Sequence, residues 1–355
     1  MTRTDLFQLK VLSLGAGALG TYVAGSLALH GHRVVFLERP EVASQLRSQG
    51  LRLTISGRLH ILQEVSVLGS IEEAIAQGPF DIAIFALKSY DTADALVSLL
   101  PFAEHLPPVL CLQNGVVNEK ILSDAFGSDK VIPGTVTSAI GRRATGDITL
   151  ERLRGMGVAA NHPFSSQLVA ALDQAGLNAR LYENPADMKW SKLLTNLVGN
   201  ATSAILNMDP AEIYAHPGLY SLELTQLREC LVVMRAQHIR AVNLPGTPVR
   251  LLAFGVMHLP DFITRLFLRR IVGKGRGGKM PSFHIDLHSG RGQSEVSYLN
   301  GAIVEAGKQH GIPTPTNKTL SDTLLGLTIG KMKIGDFDHQ PERLLAILQE
   351  VSHAG

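Results

Sequence analysis

The sequence has few cysteines and little net charge, and both shortages exclude classes of protein. It has only two cysteines, Cys111 and Cys230, which are far apart and outside any CxxC or Cys/His cluster. It therefore offers neither a disulfide framework nor the ligand spacing of a zinc site. The net charge is only +2, with acidic and basic residues interspersed, which argues against a nucleic-acid partner. We expect a protein of the reducing cytoplasm that binds a small molecule and no metal.

The chain is long and apolar enough to bury a large core. Its 355 residues are 45% hydrophobic and 18% charged, which predicts two domains. One uncharged stretch, residues 11–29, follows basic residues and has the length of a signal peptide or short membrane span. It contains Gly15, Gly17, Gly20 and Gly25 and lacks a dense leucine core. We therefore interpret it as part of the fold and expect no membrane association.

The same stretch predicts a strand, a glycine-rich turn and a helix. Residues 9–14 are apolar, residues 15–20 read GAGALG, and a helical pattern follows from Thr21. The first glycine of such a turn permits a tight bend, the second lets the backbone approach a pyrophosphate, and the third allows close packing of helix on strand. A second apolar strand, residues 33–37, follows at the required interval. The predicted site for a nicotinamide dinucleotide comprises Gly15, Ala16, Gly17, Ala18, Leu19 and Gly20.

The end of the second strand bears on which nicotinamide cofactor is used. Glu38 stands where an acid can hold ribose hydroxyls, which favours NAD, whereas the next residue, Arg39, can pair with a 2′-phosphate, which favours NADP. Both residues also fit ordinary charges at the end of a strand. We favour NADP, with NAD as the less favoured cofactor.

Two later apolar strands also end in polar residues. Residues 81–87 are followed by Lys88, and residues 109–112 by Gln113, Asn114 and Gly115. In a doubly wound sheet, ligands bind outside the carboxyl ends of the strands, so we expect Lys88 and Asn114 at the cofactor crevice. The Asn-Gly pair is also typical of a plain turn.

A polar column interrupts an otherwise apolar helical segment, WSKLLTNLVGNATSAI. Lys192, Asn196 and Asn200 are spaced four residues apart, so on one continuous helix they share a face. Asparagine is a weak helix former, and two of them in a buried helix indicate positioned donors and acceptors; the alternative is a polar stripe that faces water. We expect Lys189, one turn earlier, to be exposed to solvent.

In chain order these motifs form a recognisable set. They are GAGALG, LKSYDT, LQNG, PGTVTSAIGR, KWSKLLTNLVGNATSAI and PSFHIDLHSGRGQSEVSYLNGAIVEAGKQHGIPTPTN. Over nearly its whole length the sequence resembles the 2-dehydropantoate 2-reductases, also called ketopantoate reductases. The resemblance implies NADPH-dependent reduction of 2-dehydropantoate to pantoate, on the path to coenzyme A.

The resemblance also implies roles for particular residues. Lys192 matches the family's proton donor, and Glu295 the acid that reaches both the cofactor and that lysine. The matching substrate-binding residues are Asn114, Asn196, Asn200 and Ser282. The matching cofactor-binding residues are the GAGALG loop, Arg39, Lys88, Asn114, Ile140 and Glu295. Two of these positions have structural alternatives, since Ser282 is also placed to cap a helix running to Leu287, and Glu295 to begin a helix whose N-terminus favours acids.

The sequence thus predicts an α/β fold with two domains. Residues 1–182 are expected to form a Rossmann-type doubly wound sheet and residues 187–355 an all-helical domain, with the active site between them. Two other functions stay open: reduction of a different 2-oxo acid, and dinucleotide sensing without turnover. The basic, apolar stretch of residues 262–279 is interpreted as an apolar face packed on the helical domain or on a second copy, with a homodimer possible, or alternatively as a membrane-surface helix.

Overall fold

The chain forms two compact units, each made of three segments of the chain. The computed structural model describes residues 8–261, 263–265 and 280–354. One unit comprises Met1–Gln113, Val117–Lys189 and Leu244–Thr247, and the other comprises Asn114–Val116, Trp190–Asn243 and Pro248–Gly355. The predicted domains are continuous segments, whereas here residues 114–116 belong with the second unit and 244–247 with the first. Of the basic stretch 262–279, all but residues 263–265 lies outside the described residues.

The first unit contains two sheets. The strands are β1 Lys10–Leu14, β2 Arg33–Leu37, β3 Leu51–Ile55, β4 Arg58–Leu62, β5 Ser66–Leu68, β6 Ile82–Phe85, β7 Val109–Cys111, β8 Val131–Val136, β9 Ala139–Ala144, β10 Asp147–Arg152, β11 Met156–Ala159 and β12 Ala179–Tyr182. The large sheet has eight strands in the order β12-β11-β8-β7-β6-β1-β2-β5, and the small one has four in the order β4-β3-β10-β9. From β5 to β8 the large sheet is parallel, and β11 then runs antiparallel to β8.

The central strands are buried on both faces, as is usual for a parallel sheet covered on both sides. Val11 and Ile84 belong to one core cluster and Leu12 and Ala83 to another, all with no exposed surface. The helices of this unit are α1 Ala18–Leu29, α2 Pro40–Gln49, α3 Ile71–Ala76, α4 Thr92–Leu99, α5 Asn118–Phe126 and α6 Ser165–Gln174. This architecture confirms the predicted Rossmann-type fold class.

The second unit is helical. The next helix, α7 Pro185–Leu197, begins in the first unit and passes into the second after Lys189. The helices that follow are α8 Asn200–Leu206, α9 Pro210–Ala215, α10 Pro217–Ala236, α11 Val249–His258, α12 Ser282–His288, α13 Asn300–Gln309, α14 Pro315–Thr328 and α15 Pro341–Ala354. No helix within the described ranges is long and apolar enough to cross a membrane.

The predicted continuous helix through Lys192, Asn196 and Asn200 is wrong. Helix α7 ends at Leu197, Gly199 adopts a left-handed conformation with φ of 60°, and α8 begins at Asn200. The buried carboxyl group of Glu223 on α10 stabilises this break, because its oxygens accept hydrogen bonds from the Gly199 amide (2.8 Å) and the Thr202 hydroxyl (2.5 Å). Sequence spacing alone contains no sign of this distant partner.

The predicted helix that begins at Glu295 is also two elements. Residues Glu295–Tyr298 form a single 3-10 turn, capped by the Ser294 hydroxyl on the Val296 amide at 3.2 Å. Leu299 then leaves helical geometry, and α13 starts at Asn300. Glu295 does stand at the start of a helical turn, as expected.

Candidate active site

The glycine-rich loop of the first unit has the geometry of a phosphate cradle. Gly15 has φ of 98°, and a Cβ at Gly20 would lie 2.0 Å from the Gly15 carbonyl oxygen, so neither position accepts a side chain without movement. A Cβ at Gly17, in contrast, would meet nothing within 4 Å. Gly17 is also the N-cap of α1, which has no capping side chain among the described residues. The loop thus presents open space and amide donors at a helix N-terminus, which fits a pyrophosphate.

Glu38 lies against this loop and Arg39 points away from the core. The Glu38 carboxylate accepts hydrogen bonds from the amides of Ala16 (2.5 Å) and Arg39 (3.3 Å). The Arg39 side chain is exposed just after β2, at the start of α2. Glu38 therefore supports the loop's backbone, and Arg39 is accessible to an anionic ligand at the same strand end.

Buried hydrogen bonds fix the loops after β6 and β7. The side-chain amide of Gln113 donates to the carbonyl oxygens of Leu87 (3.2 Å) and Lys88 (3.2 Å) and to the Thr92 hydroxyl (2.8 Å). Lys88, which is half-buried, directly precedes the 3-10 turn Ser89–Asp91. The sequence motif LQNG thus uses its glutamine as a clamp that holds the backbone of Lys88.

In the second unit, Asn114 meets α7. The Asn196 side-chain amide donates to the Asn114 side-chain oxygen at 3.1 Å. Gly115 has φ of 92°, and a Cβ there would lie 2.6 Å from the Tyr298 carbonyl oxygen, so the loop lies tightly against the turn that Glu295 begins. Glu295 itself is buried, and Lys192 is half-buried on α7. The structure therefore groups Asn114 with Asn196 and with the turn of Glu295.

Asn200 and Ser282 form a second pair in this unit. The Asn200 amide donates to the Ser282 hydroxyl at 3.4 Å, and its side-chain oxygen accepts from the Phe283 amide at 3.1 Å. The expected alternative in which Ser282 caps α12 is wrong, because Pro281 is the N-cap and Ser282 is the first helical residue. Asn200 supplies the capping oxygen instead, which leaves Ser282 exposed at the start of α12.

Ile140 lies apart from the residues described so far. It is on β9 in the small sheet, paired in register with Leu150, and its side chain packs on the core of the first unit. A predicted backbone contact between this segment and the cofactor stays a prediction.

The burial of Lys189 was not predicted from the sequence. This side chain is 5% exposed and forms an ion pair with Glu119 of α5, with 2.6 Å between Nζ and Oε1. Its ammonium also donates to the carbonyl oxygens of Gln113 (2.7 Å) and Gly134 (3.2 Å). The expectation that Lys189 is solvated is wrong. Its spacing of three residues before Lys192 and seven before Asn196 was the available signal, since these positions share one helix face.

Comparison with known proteins agrees with these features. Residues 11–161 match the family model described as ketopantoate reductase PanE/ApbA, and residues 184–327 match the model of its C-terminal part. A 2-dehydropantoate 2-reductase of Halobacterium salinarum is 28% identical over 329 residues, which cover 88% of this chain and 97% of the relative.

Solved structures give the same result for the fold. A PanE/ApbA family ketopantoate reductase from Ralstonia eutropha JMP134 is similar with a TM-score of 0.76 and 26% identity, covering 91% of this chain and 99% of the other. D-mandelate dehydrogenase, solved with NADH and anilino(oxo)acetate, has a TM-score of 0.73 at 20% identity, covering 90% and 98% of the two chains; this likeness concerns the fold alone. Since the family models match most of the chain, the protein belongs to the ketopantoate reductase (PanE/ApbA) family of oxidoreductases.

Proposed function

We propose that the protein reduces 2-dehydropantoate to pantoate with NADPH, and that Lys192 is the proton donor. The observation that carries the proposal is the family match across both units, together with a half-buried lysine on the helix whose Asn196 binds Asn114. The glycine-rich loop, with open space at Gly17, supports a dinucleotide cofactor. The exposed Arg39 at the end of β2 supports its 2′-phosphorylated form.

The reaction needs a hydride at the carbonyl carbon of the 2-oxo acid and a proton at its oxygen. A bound dihydronicotinamide supplies the hydride. As the oxygen gains negative charge, the Lys192 ammonium stabilises it and then donates a proton, which completes the hydroxyl group. A lysine suits both tasks because it carries a positive charge and a transferable proton.

The remaining polar residues bind and orient the substrate. Asn196 binds Asn114 through its side-chain nitrogen, and in this proposal its side-chain oxygen accepts a hydrogen bond from the substrate. The Ser282 hydroxyl, exposed at the first position of α12, suits a carboxylate. Asn200 is committed to Ser282 and Phe283 through both of its polar atoms, so in this proposal it orients Ser282 rather than binding substrate alone. Such residues act by positioning more than by acidity.

The test is oxidation of NADPH, followed by absorbance at 340 nm, with purified protein and 2-dehydropantoate. Parallel reactions use NADH and a small panel of other 2-oxo acids. Rapid turnover with NADPH and 2-dehydropantoate is the expected result. Preference for another 2-oxo acid would contradict the substrate assignment, and preference for NADH would contradict the role given to Arg39.

A further inference from the structure

Helix α7 carries a polar row that differs from the predicted one. Lys189, Lys192 and Asn196 stand at positions i, i+3 and i+7, and such positions share one helix face. The predicted third member, Asn200, belongs to the next helix. The row therefore begins one turn earlier than expected, with a lysine that the family resemblance does not assign.

The first and last residues of this row form hydrogen bonds with consecutive residues of the loop after β7. Lys189 donates to the main-chain oxygen of Gln113 at 2.7 Å, and Asn196 donates to the side-chain oxygen of Asn114 at 3.1 Å. Lys192 lies between Lys189 and Asn196 in the sequence. The loop is thus held at its backbone by Lys189 and at its side chain by Asn196.

The Lys189 ammonium is an expensive group to bury unless its contacts serve a purpose. Only 5% of its side chain is exposed, and Glu119, at 14% exposure, is its counter-ion. Burying two charges costs several kcal/mol before their attraction repays it, and an apolar residue would fill the same space. A long side chain with several donors is needed only because the Gln113 and Gly134 carbonyl oxygens must also be bound.

We propose that Lys189 is a positioning residue for the active site: by holding the Gln113 carbonyl, it fixes Asn114 against the helix that carries Lys192. Glu119 is the counter-ion that neutralises the ammonium. This inference rests on the proposed function only for its kinetic readout. A misplacement of about 1 Å in such a loop can cost roughly 100-fold in rate.

Three variants separate positioning from stability. E119Q removes the counter-ion charge but keeps the amine on Gln113, whereas the double variant K189M/E119Q removes both charges and the hydrogen bond to Gln113. K189M alone leaves the partly buried Glu119 without its counter-ion and is expected to be less stable than the wild type. Lys120→Met is the matched control, since Lys120 forms an exposed ion pair with Asp124 on the same helix as Glu119.

The deciding comparison is between E119Q and K189M/E119Q, which share the change at residue 119 and differ at residue 189 in one charge and in the hydrogen bond to Gln113. Relative to E119Q, K189M/E119Q is expected to lose at least about tenfold in kcat/KM for the 2-oxo acid, while Lys120→Met matches the wild type. The melting temperature of the double variant is expected to be no lower than that of E119Q, because E119Q leaves the Lys189 ammonium without its counter-ion. Equal kcat/KM in E119Q and the double variant overturns the inference.

A second readout needs no activity. Amide hydrogen exchange at residues 114–117 is expected to speed up in the double variant and not in E119Q. A wild type inert to every 2-oxo acid would count against the proposed function alone, and the exchange result would then decide on Lys189: unchanged protection at 114–117 overturns its positioning role.

Discussion

The local structure of the glycine-rich loop could be predicted from the sequence, whereas that of the α7–α8 segment could not. At the loop, the predicted order of strand, glycine-rich turn and helix is confirmed, although the helix begins at Ala18, three residues before its predicted start at Thr21. Short-range geometry dictates this order, since Gly20 packs on the Gly15 carbonyl. At α7–α8, the spacing predicts one helix and the structure has two. The cause is a side chain far along the chain, Glu223, which binds the Gly199 amide.

Local sequence patterns predict a conformation reliably only where that conformation depends on neighbouring residues. A backbone motif specifies its own conformation, whereas a polar side chain in a helix is defined by the partner it meets. The exposure predicted for Lys189 and the continuous helix predicted through Asn200 were wrong for that reason. Lys189 forms an ion pair with Glu119, and Asn200 starts a new helix and caps α12 through the Phe283 amide.

The largest effect is expected from Lys192→Ala, at the centre of the polar row. Removal of a proton donor that also stabilises the developing alkoxide should lower kcat by about 10³-fold. The affinity for NADPH, measured by nucleotide fluorescence, should change little because the ammonium acts on the substrate oxygen. Lys318→Ala, an exposed lysine on α14, is the control. A variant that keeps its kcat would assign the proton to another donor, and a wild type inert to all 2-oxo acids would favour the sensor alternative.

The glycine loop allows a sharper contrast, between Gly17→Ala and Gly20→Ala. A methyl group at Gly20 would lie 2.0 Å from a main-chain oxygen, so this variant should lose both melting temperature and NADPH affinity. A methyl group at Gly17 would meet nothing within 4 Å, so the apo protein should keep its stability within about 0.5 kcal/mol. It should still bind NADPH at least about tenfold more weakly, because the pyrophosphate needs that space.

Thermal unfolding and NADPH titration check both variants, with Gly335→Ala as control, since that glycine also has open space around it. Full NADPH affinity in Gly17→Ala would mean that the cofactor does not approach the loop there.

A smaller effect is expected at the end of β2. Arg39→Ala should raise the KM for NADPH by about tenfold and leave that for NADH unchanged, because a hydrogen bond to a charged group contributes roughly 1.5–3 kcal/mol. Glu38→Gln keeps an oxygen for the Ala16 amide while removing a negative charge near the 2′-phosphate, so it should favour NADPH by a few-fold. Initial rates with both cofactors provide the measurement, and equal changes for NADPH and NADH would remove Arg39 as the selector.

The contrast also defines what could be predicted from this sequence. The strand that precedes the loop, β2 and the strand ends near Lys88 and Asn114 were predicted because apolar runs and glycine spacing are local signals. The resemblance implied that Asn114 and Asn196 both bind substrate, but the hydrogen bond between them, across 82 residues, was not predicted. The break at Gly199 and the burial of Lys189 involve Glu223 and Glu119, and no period in the sequence identifies either of these two residues as the partner.

The pH dependence of stability tests the helix break itself. Burial raises the pKa of Glu223 above its ordinary value of 4.5, although hydrogen bonds from Thr202, Gly199, Tyr214 and Gln226 oppose the shift. The folded state therefore holds a proton that the unfolded chain releases above about pH 4.5. The free energy of unfolding should consequently fall as the pH rises above that value. One proton changes it by at most about 1.4 kcal/mol per pH unit.

Glu223→Gln removes that titration and keeps a carbonyl acceptor for the Gly199 amide. Relative to the wild type, it should therefore become progressively more stable as the pH is raised from 4.5 towards 8. Urea unfolding of both proteins across this range gives the difference directly, because every other titrating group contributes equally to the two curves. Glu305→Gln, at an exposed position of α13, should show no such trend. Parallel curves for Glu223→Gln and the wild type would mean that Glu223 binds its four donors as a carboxylate, so that the break at Gly199 is held by a buried charge.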